Sequence, residues 1–133
     1  ELKIKHYFRY TDDFVIISED ALYLKNLIPE IRSFLLSNLK LELHPKKVII
    51  RKFHQGIDFL GYIILIHYRL VRTKTKKRIF KKLRKRINEY KKGVINWQTL
   101  EQSLQSYLGV FSHADTHKLN QELKNQFWFW LNE

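Results

Sequence analysis

The chain has 133 residues, of which 44% are hydrophobic and 14% aromatic, enough for one compact domain or two small lobes and too apolar for a disordered polypeptide. Twenty-five Lys and Arg against 13 Asp and Glu give a formal charge of +12, and cysteine is absent, which excludes a disulfide framework and thiolate metal sites. The charge is uneven: residues 1–68 hold ten basic and eight acidic side chains, residues 69–133 fifteen and five.

In chain order, residues 3–8 alternate loosely and Phe14-Val15-Ile16-Ile17 is an apolar run, and both patterns suit strands. The short polar stretch 9–13 between them predicts a β-hairpin with Asp12 and Asp13 at its tip. Ser18 is placed to cap a helix starting near Glu19 and Asp20, acids that suit an N-terminal dipole. Leu24, Ile28, Ile31 and Leu35 recur at helical spacing, with Pro29 expected to kink or split that helix. Leu41 and Leu43 then alternate with charged residues, His44-Pro45 breaks the chain, and 48–50 reads as a strand. Gln55-Gly56 predicts a turn, 57–66 is β-rich apart from Gly61, and 68–71 returns as a short strand. From Thr73 the period becomes helical. Ile79, Leu83, Ile87 and Tyr90 mark one face, with a stop expected at Gly93. Asn96 can cap a second helix bearing Trp97, Leu100, Leu104, Leu108 and Phe111. A third is expected from about Ala114, with Leu119, Leu123, Phe127 and Trp130 on one side. No internal repeat or low-complexity linker is present, and the expected boundary lies near residue 72, where strands give way to helices.

The sharpest chemical feature is Tyr10-Thr11-Asp12-Asp13, flanked by Phe8-Arg9 and Phe14-Val15-Ile16-Ile17. Adjacent carboxylates repel, so a hairpin tip carrying two of them is unfavourable without a cation. Divalent magnesium answers that need, because it takes hard oxygen ligands while keeping waters or phosphate oxygens. In two-metal phosphoryl transfer, paired ions bridge the attacking and leaving oxygens, and carboxylates on stiff strands hold such ions still. A solvated acidic turn is the plain alternative.

The stretch 69–92 contains thirteen Lys or Arg and one acid, Glu89. The apolar stripe at 79, 83, 87 and 90 leaves the cations on other faces, too lopsided a pattern for solubility alone. It reads as a phosphate-tracking surface, sequence-independent and salt-sensitive, carried by Arg72, Lys74, Lys76, Lys77, Arg78, Lys81, Lys82, Arg84, Lys85 and Arg86. An anionic membrane surface is the rival partner. Trp97, Trp128 and Trp130 sit at core spacing, with base stacking as the rival reading.

Tyr10-Thr11-Asp12-Asp13 resembles the Tyr-x-Asp-Asp box of reverse transcriptases, here with Thr where Ala, Val or Met is more usual. The resemblance continues in order. The segment from Leu39 through Leu43-His44-Pro45-Lys46-Lys47 is similar to the one that follows the palm helix in the bacterial enzymes. Gly56-Ile57-Asp58-Phe59-Leu60-Gly61-Tyr62 is similar to their primer-grip hairpin. Ser106-Tyr107-Leu108-Gly109 followed by Ser112-His113-Ala114 resembles the thumb of the group II intron and diversity-generating retroelement branch. The resemblance implies that Asp12 ligates metal and Asp13 supports the metal site or primer end. It implies that Tyr10 lies near the nucleotide or primer terminus, and that Phe59, Leu60, Gly61 and Tyr62 hold the primer strand. A glycine at 61 would let backbone approach a sugar-phosphate closely. Lys47 corresponds to a palm lysine that is a candidate general acid for the pyrophosphate leaving group, a role that needs a mobile exchangeable cation. Lys46 beside it competes for that role, and His44 is a weaker candidate.

The resemblance thus implies an α+β fold: a partial antiparallel palm sheet with one helix over 1–72, then a basic thumb of about three helices over 73–133. It implies an RNA-directed DNA polymerase using two Mg2+ (or Mn2+) ions, deoxynucleoside triphosphates, an RNA template and a DNA primer. The third carboxylate, the fingers and the template loop of such an enzyme would lie upstream. The chain opens with Glu1 and contains no Met, so it reads as a fragment, incomplete without the N-terminal part of the polymerase and inactive alone. No apolar run reaches membrane-spanning length and the start is unlike a signal peptide. The resemblance implies a prokaryotic cytoplasmic protein without a membrane partner. Two other readings remain: a maturase-like RNA-binding module that needs no catalysis, and a basic structural protein with an incidental acidic turn.

Overall fold

The computed structural model describes residues 4–133, so Lys3, in the expected opening strand, lies outside the described residues. The fold is α+β, with four α-helices and two small antiparallel sheets of two and three strands. The expected partial palm sheet is therefore two separate sheets. The chain divides into two compact units, Glu1–Lys52 and Phe53–Glu133. Strands give way to helices at residue 72, as the change of period anticipates, but compactness divides twenty residues earlier.

In the first unit, β1 (Tyr7–Tyr10) and β2 (Asp13–Ile16) form a hairpin in which Tyr7 faces Ile16 and Tyr10 faces Asp13. Aromatic and β-branched side chains favour this pleated pairing, and Tyr7 and Phe14 meet diagonally with ring centroids 5.9 Å apart. Helix α1 (Ala21–Phe34) follows. Its cap is Asp20 and not Ser18: the Asp20 carboxylate accepts from the Leu22 and Tyr23 amides at 2.8 and 3.0 Å, while Ser18 Oγ accepts from the Asp20 amide. A carboxylate opposite the dipole's positive end outcompetes a hydroxyl two residues earlier. Pro29 does not split α1. Proline removes a single ladder bond, and Leu24, Leu27, Ile28 and Ile31 carry one partly buried stripe past it. The helix ends in a π-helical turn, Leu35–Leu39, closed by Lys40 in the left-handed region. No strand forms at 48–50. An apolar run becomes a strand only where a neighbour supplies the ladder, and none does here among the described residues.

In the second unit, a 3-10 turn (Phe53–Gln55) leads into β3 (Ile57–Phe59), β4 (Tyr62–Ile64) and β5 (Arg69–Val71), a three-stranded meander. Gly56 enters with φ +77°, and a Cβ there would lie 2.6 Å from Ile63, so only glycine fits. Three helices follow: α2 (Thr73–Lys91), α3 (Trp97–Ser112), whose N-cap Asn96 accepts from the Thr99 amide, and α4 (His117–Asn132). Their apolar faces close on one core of Ile79, Leu83, Ile87, Leu100, Leu104, Phe111, Leu123 and Phe127. The meander is fastened to this bundle. Tyr62 Oη donates to the Val110 carbonyl at 2.8 Å, the Asp115 amide donates to the Arg69 carbonyl, and Val71 packs on the core. These bonds explain why the small sheet belongs with the helices and not with the first hairpin.

Candidate functional site

Asp12 lies in the two-residue loop between β1 and β2, and Asp13 opens β2. Thr11 takes φ +51°, a left-handed value that a β-branched residue rarely adopts. Arg9 Nε donates to the Thr11 carbonyl at 2.8 Å, clamping the loop and bringing a cation to the acidic tip. Sequence reasoning passed over Arg9, although its place opposite Phe14 and two residues before the loop marks it as a turn clamp. Tyr10 is the cross-strand partner of Asp13 and is 60% exposed, so the register that sets the acids also sets the tyrosine beside them. Both carboxylates are exposed and form no ion pair among the described residues. Their oxygens suit a hard divalent cation, but among the described residues no three His, Asp or Glu side chains gather to complete a metal site. A third ligand would have to be added.

Lys46 and Lys47 are exposed in the turn after Pro45. His44 organises that turn: its Nδ1 accepts from the Lys46 amide and its carbonyl from the Lys47 amide. Among the described residues no ion pair joins either lysine's ammonium to a carboxylate, that of Asp12 or Asp13 included.

The remaining candidates lie in the second unit. Phe59 and Tyr62 pair across the β3–β4 hairpin, whose loop is Leu60-Gly61 with φ of +54° and +86°. Two positive φ values in succession are the signature of a type I′ turn, normally filled by Asn-Gly. Leu60 is 49% exposed at this tip. Tyr62 is fastened through its hydroxyl to Val110, so its polar end is engaged within the protein. The Gly61 carbonyl accepts from the Arg72 amide at 3.0 Å, which lays the hairpin tip against the start of α2. A cleft of 280 Å³ opens there, lined by Leu60, Gly61, Arg72, Lys74, Thr75 and Arg78.

The cations of α2 divide into two groups. Arg72 pairs with Asp58 at 2.5 Å, Lys76 with Glu122 at 2.8 Å, and Lys85 and Arg86 with Glu89 at 3.7 and 3.0 Å. Arg84 lies 5.5 Å over the Trp130 ring and 4.0 Å from Glu133. Lys74, Lys77, Arg78, Lys81 and Lys82 have no ionic partner among the described residues. At 100° per residue Lys74, Lys77, Arg78, Lys81 and Lys85 lie off the buried stripe Thr75, Ile79, Leu83 and Ile87, and Lys82 is exposed at its flank. From Lys74 to Lys85 the row runs about 17 Å, the length of roughly five steps of a B-form strand. Trp130 packs edge-on to Phe80 beside the core, whereas Trp97 and Trp128 stay partly exposed at the rim of an aromatic cluster with Tyr90 and Phe127.

No protein-family model matches the chain, and a search of curated proteins finds no match. No helix among the described residues is long and apolar enough to cross a membrane.

Proposed function

We propose that the chain is the C-terminal palm and thumb part of an RNA-directed DNA polymerase, performing two-metal nucleotidyl transfer only when joined to the rest of that polymerase. The observation that carries this reading is the adjacent pair of Asp12, in the two-residue hairpin loop, and Asp13, opening β2, with Thr11 held at positive φ. Backbone in a sparsely populated region persists where the surrounding structure over-determines it, and such places concentrate at functional sites. Here the strain falls on the loop residue that immediately precedes the two exposed acids. Tyr10 across from Asp13, the Leu60-Gly61 hairpin and the cationic row of α2 follow in the order such an enzyme needs. Asp12 and Asp13 would hold Mg2+ or Mn2+ with a further carboxylate from outside this chain, and the ions would supply Lewis-acid stabilisation of the developing charge. The template, the primer and deoxynucleoside triphosphates are the proposed ligands, a prokaryotic cytoplasm the proposed compartment.

The deciding experiment is primer extension by the intact parent protein. Asp12→Asn is expected to lower synthesis by at least a thousandfold with unchanged circular dichroism, because a catalytic metal ligand is lost. Synthesis at the parental rate after Asp12→Asn and Asp13→Asn together would end the polymerase reading. The 133-residue chain by itself is expected to extend no primer.

A second reading is favoured by a specific observation, the cations Lys74, Lys77, Arg78, Lys81 and Lys82 of α2, which have no ionic partner among the described residues. In it the chain is a maturase-like module that grips RNA and the acids are incidental. RNA affinity that accounts for all activity and survives Asp12→Asn would select it.

A further inference from the structure

The loop that carries Asp12 consists of Thr11 and Asp12, between the facing pair Tyr10 and Asp13. Of these two, only Thr11 has positive φ, at +51°. Positive φ at the first central residue alone is the pattern of a type II′ turn, a position that normally takes glycine. The Leu60-Gly61 loop has positive φ at both central residues, the type I′ pattern. The two turn types differ by about half a revolution of the central peptide, which changes ψ of the first central residue and φ of the second. In the acidic loop that peptide joins Thr11 to Asp12. Turning it over would carry Asp12 to positive φ, which aspartate tolerates far better than a β-branched residue, and would swing the Asp12 side chain with it. Type I′ is therefore a competing form of this loop.

Arg9 acts on this peptide. Its Nε donates to the Thr11 carbonyl, the oxygen of the central peptide itself, at 2.8 Å. A flip of the peptide would carry that oxygen to the other side of the loop and break the bond. Among the described residues Arg9 forms no ion pair with Asp12 or Asp13. Successive strand residues project to opposite faces, so Arg9, opposite Phe14, belongs to the face away from Tyr10 and Asp13. The guanidinium thus reaches the backbone from behind and leaves both carboxylates free to ligate. Arg9 is exposed, so replacing it removes no core contact.

We propose that Arg9 is a positioning residue for nucleotidyl transfer: a latch that selects the type II′ turn and so fixes the direction of the Asp12 carboxylate. The reaction it serves rests on the polymerase reading above; the latch itself rests on the Arg9–Thr11 bond and the turn it closes. It acts through one N–H donor and not through charge, which separates it from a cation that steadies the acids or grips a phosphate. Side-chain chemistry allows the two to be told apart. Gln carries an amide nitrogen at the same number of bonds from Cα as Arg Nε, so Arg9→Gln keeps the donor and loses the charge. Arg9→Met keeps the length and loses both. Arg9→Lys keeps the charge, but its ammonium lies one atom further out.

The test has two arms. In the 15N-labelled 133-residue chain, the Thr11, Asp12 and Asp13 amide signals are expected to stay in place in Arg9→Gln. In Arg9→Met and Arg9→Lys they are expected to move or double, with the rest of the spectrum unchanged. The second arm is steady-state primer extension by the intact parent protein. Arg9→Met and Arg9→Lys are expected to lower kcat about tenfold at unchanged KM for deoxynucleoside triphosphate, since a ligand is misdirected and no substrate contact is lost. Arg9→Gln is expected to stay within about twofold of the parental kcat. Activity kept by Arg9→Lys and lost by Arg9→Gln overturns the latch, because charge then carries the effect. Equal rates in all three variants, or an equal loss in all three, overturn it as well. Loop amide signals unmoved by Arg9→Met overturn it without touching the polymerase reading. Parental synthesis by Asp12→Asn overturns that reading and the catalytic role of Arg9 with it, while the amide signals still report whether Arg9 sets the turn.

Discussion

Thr11 and Leu60 both hold left-handed backbone, at φ +51° and +54°, where an L side chain costs about 1–2 kcal/mol. They sit at the tips of two hairpins, each named as a candidate for the chemistry. The coincidence makes a trade-off measurable. Leu60→Asn gives the type I′ loop its preferred Asn-Gly and is expected to stabilise by about 1 kcal/mol, a rise of roughly 4–8 °C in Tm for a domain of this size. If the exposed Leu60 side chain touches a primer strand, the same change lowers nucleic-acid affinity as the Tm rises. A gain in Tm with unchanged affinity removes Leu60 from the binding surface. The acids were legible from their flanking strands, but neither strained φ was, because Thr and Leu are not turn signals and the loop length is set by cross-strand register.

At the scale of elements, α2 has two unlike faces and the mutations separate them. Leu83 is 0% exposed in the middle of the core, and Leu83→Ala is expected to destabilise by about 3–4 kcal/mol in urea unfolding, from lost burial and the cavity left behind. Lys81→Gln with Lys82→Gln is expected to leave stability within about 0.5 kcal/mol. The same pair should reduce the slope of log affinity against log salt for single-stranded RNA by about 1–1.5, at roughly 0.7 for each phosphate contact. A slope unchanged by the double substitution would show that these lysines are solvated and nothing more. Both faces were readable from period and charge, as were the stop near Gly93 and the Asn96 cap, since each rests on interactions within a few residues. The failures were tertiary. Residues 48–50 have the apolar run of a strand but no neighbour to pair with, and Pro29 sits in a helix whose packed stripe continues past it.

At the scale of the whole molecule, burial is divided as unevenly as charge. The second unit encloses eight core residues, while in the first only Leu27 is buried among the described hydrophobics. Tyr7, Phe8, Tyr10, Leu22, Phe34, Leu36, Leu39 and Leu41 are exposed there. A two-stranded hairpin and one helix with so little enclosed surface cannot offset the conformational entropy of ordering them, which is of order 1–2 kcal/mol per residue. The second unit has helices on one core and a sheet bonded to them at Tyr62, Arg69 and Arg72. This predicts unequal independence. Residues 53–133 expressed alone should give a single cooperative thermal transition by circular dichroism, with Tm within a few degrees of the corresponding transition in the full chain. Residues 1–52 alone should melt without cooperativity. The choice of boundary is itself the sharper test: cutting at 72, where the change of period suggested a division, deletes the strand carrying Tyr62 and the Arg69 acceptor of the Asp115 amide. Residues 73–133 should therefore be less stable than 53–133 by several kcal/mol, and equal stability of the two would show the small sheet to be a passenger on the helices.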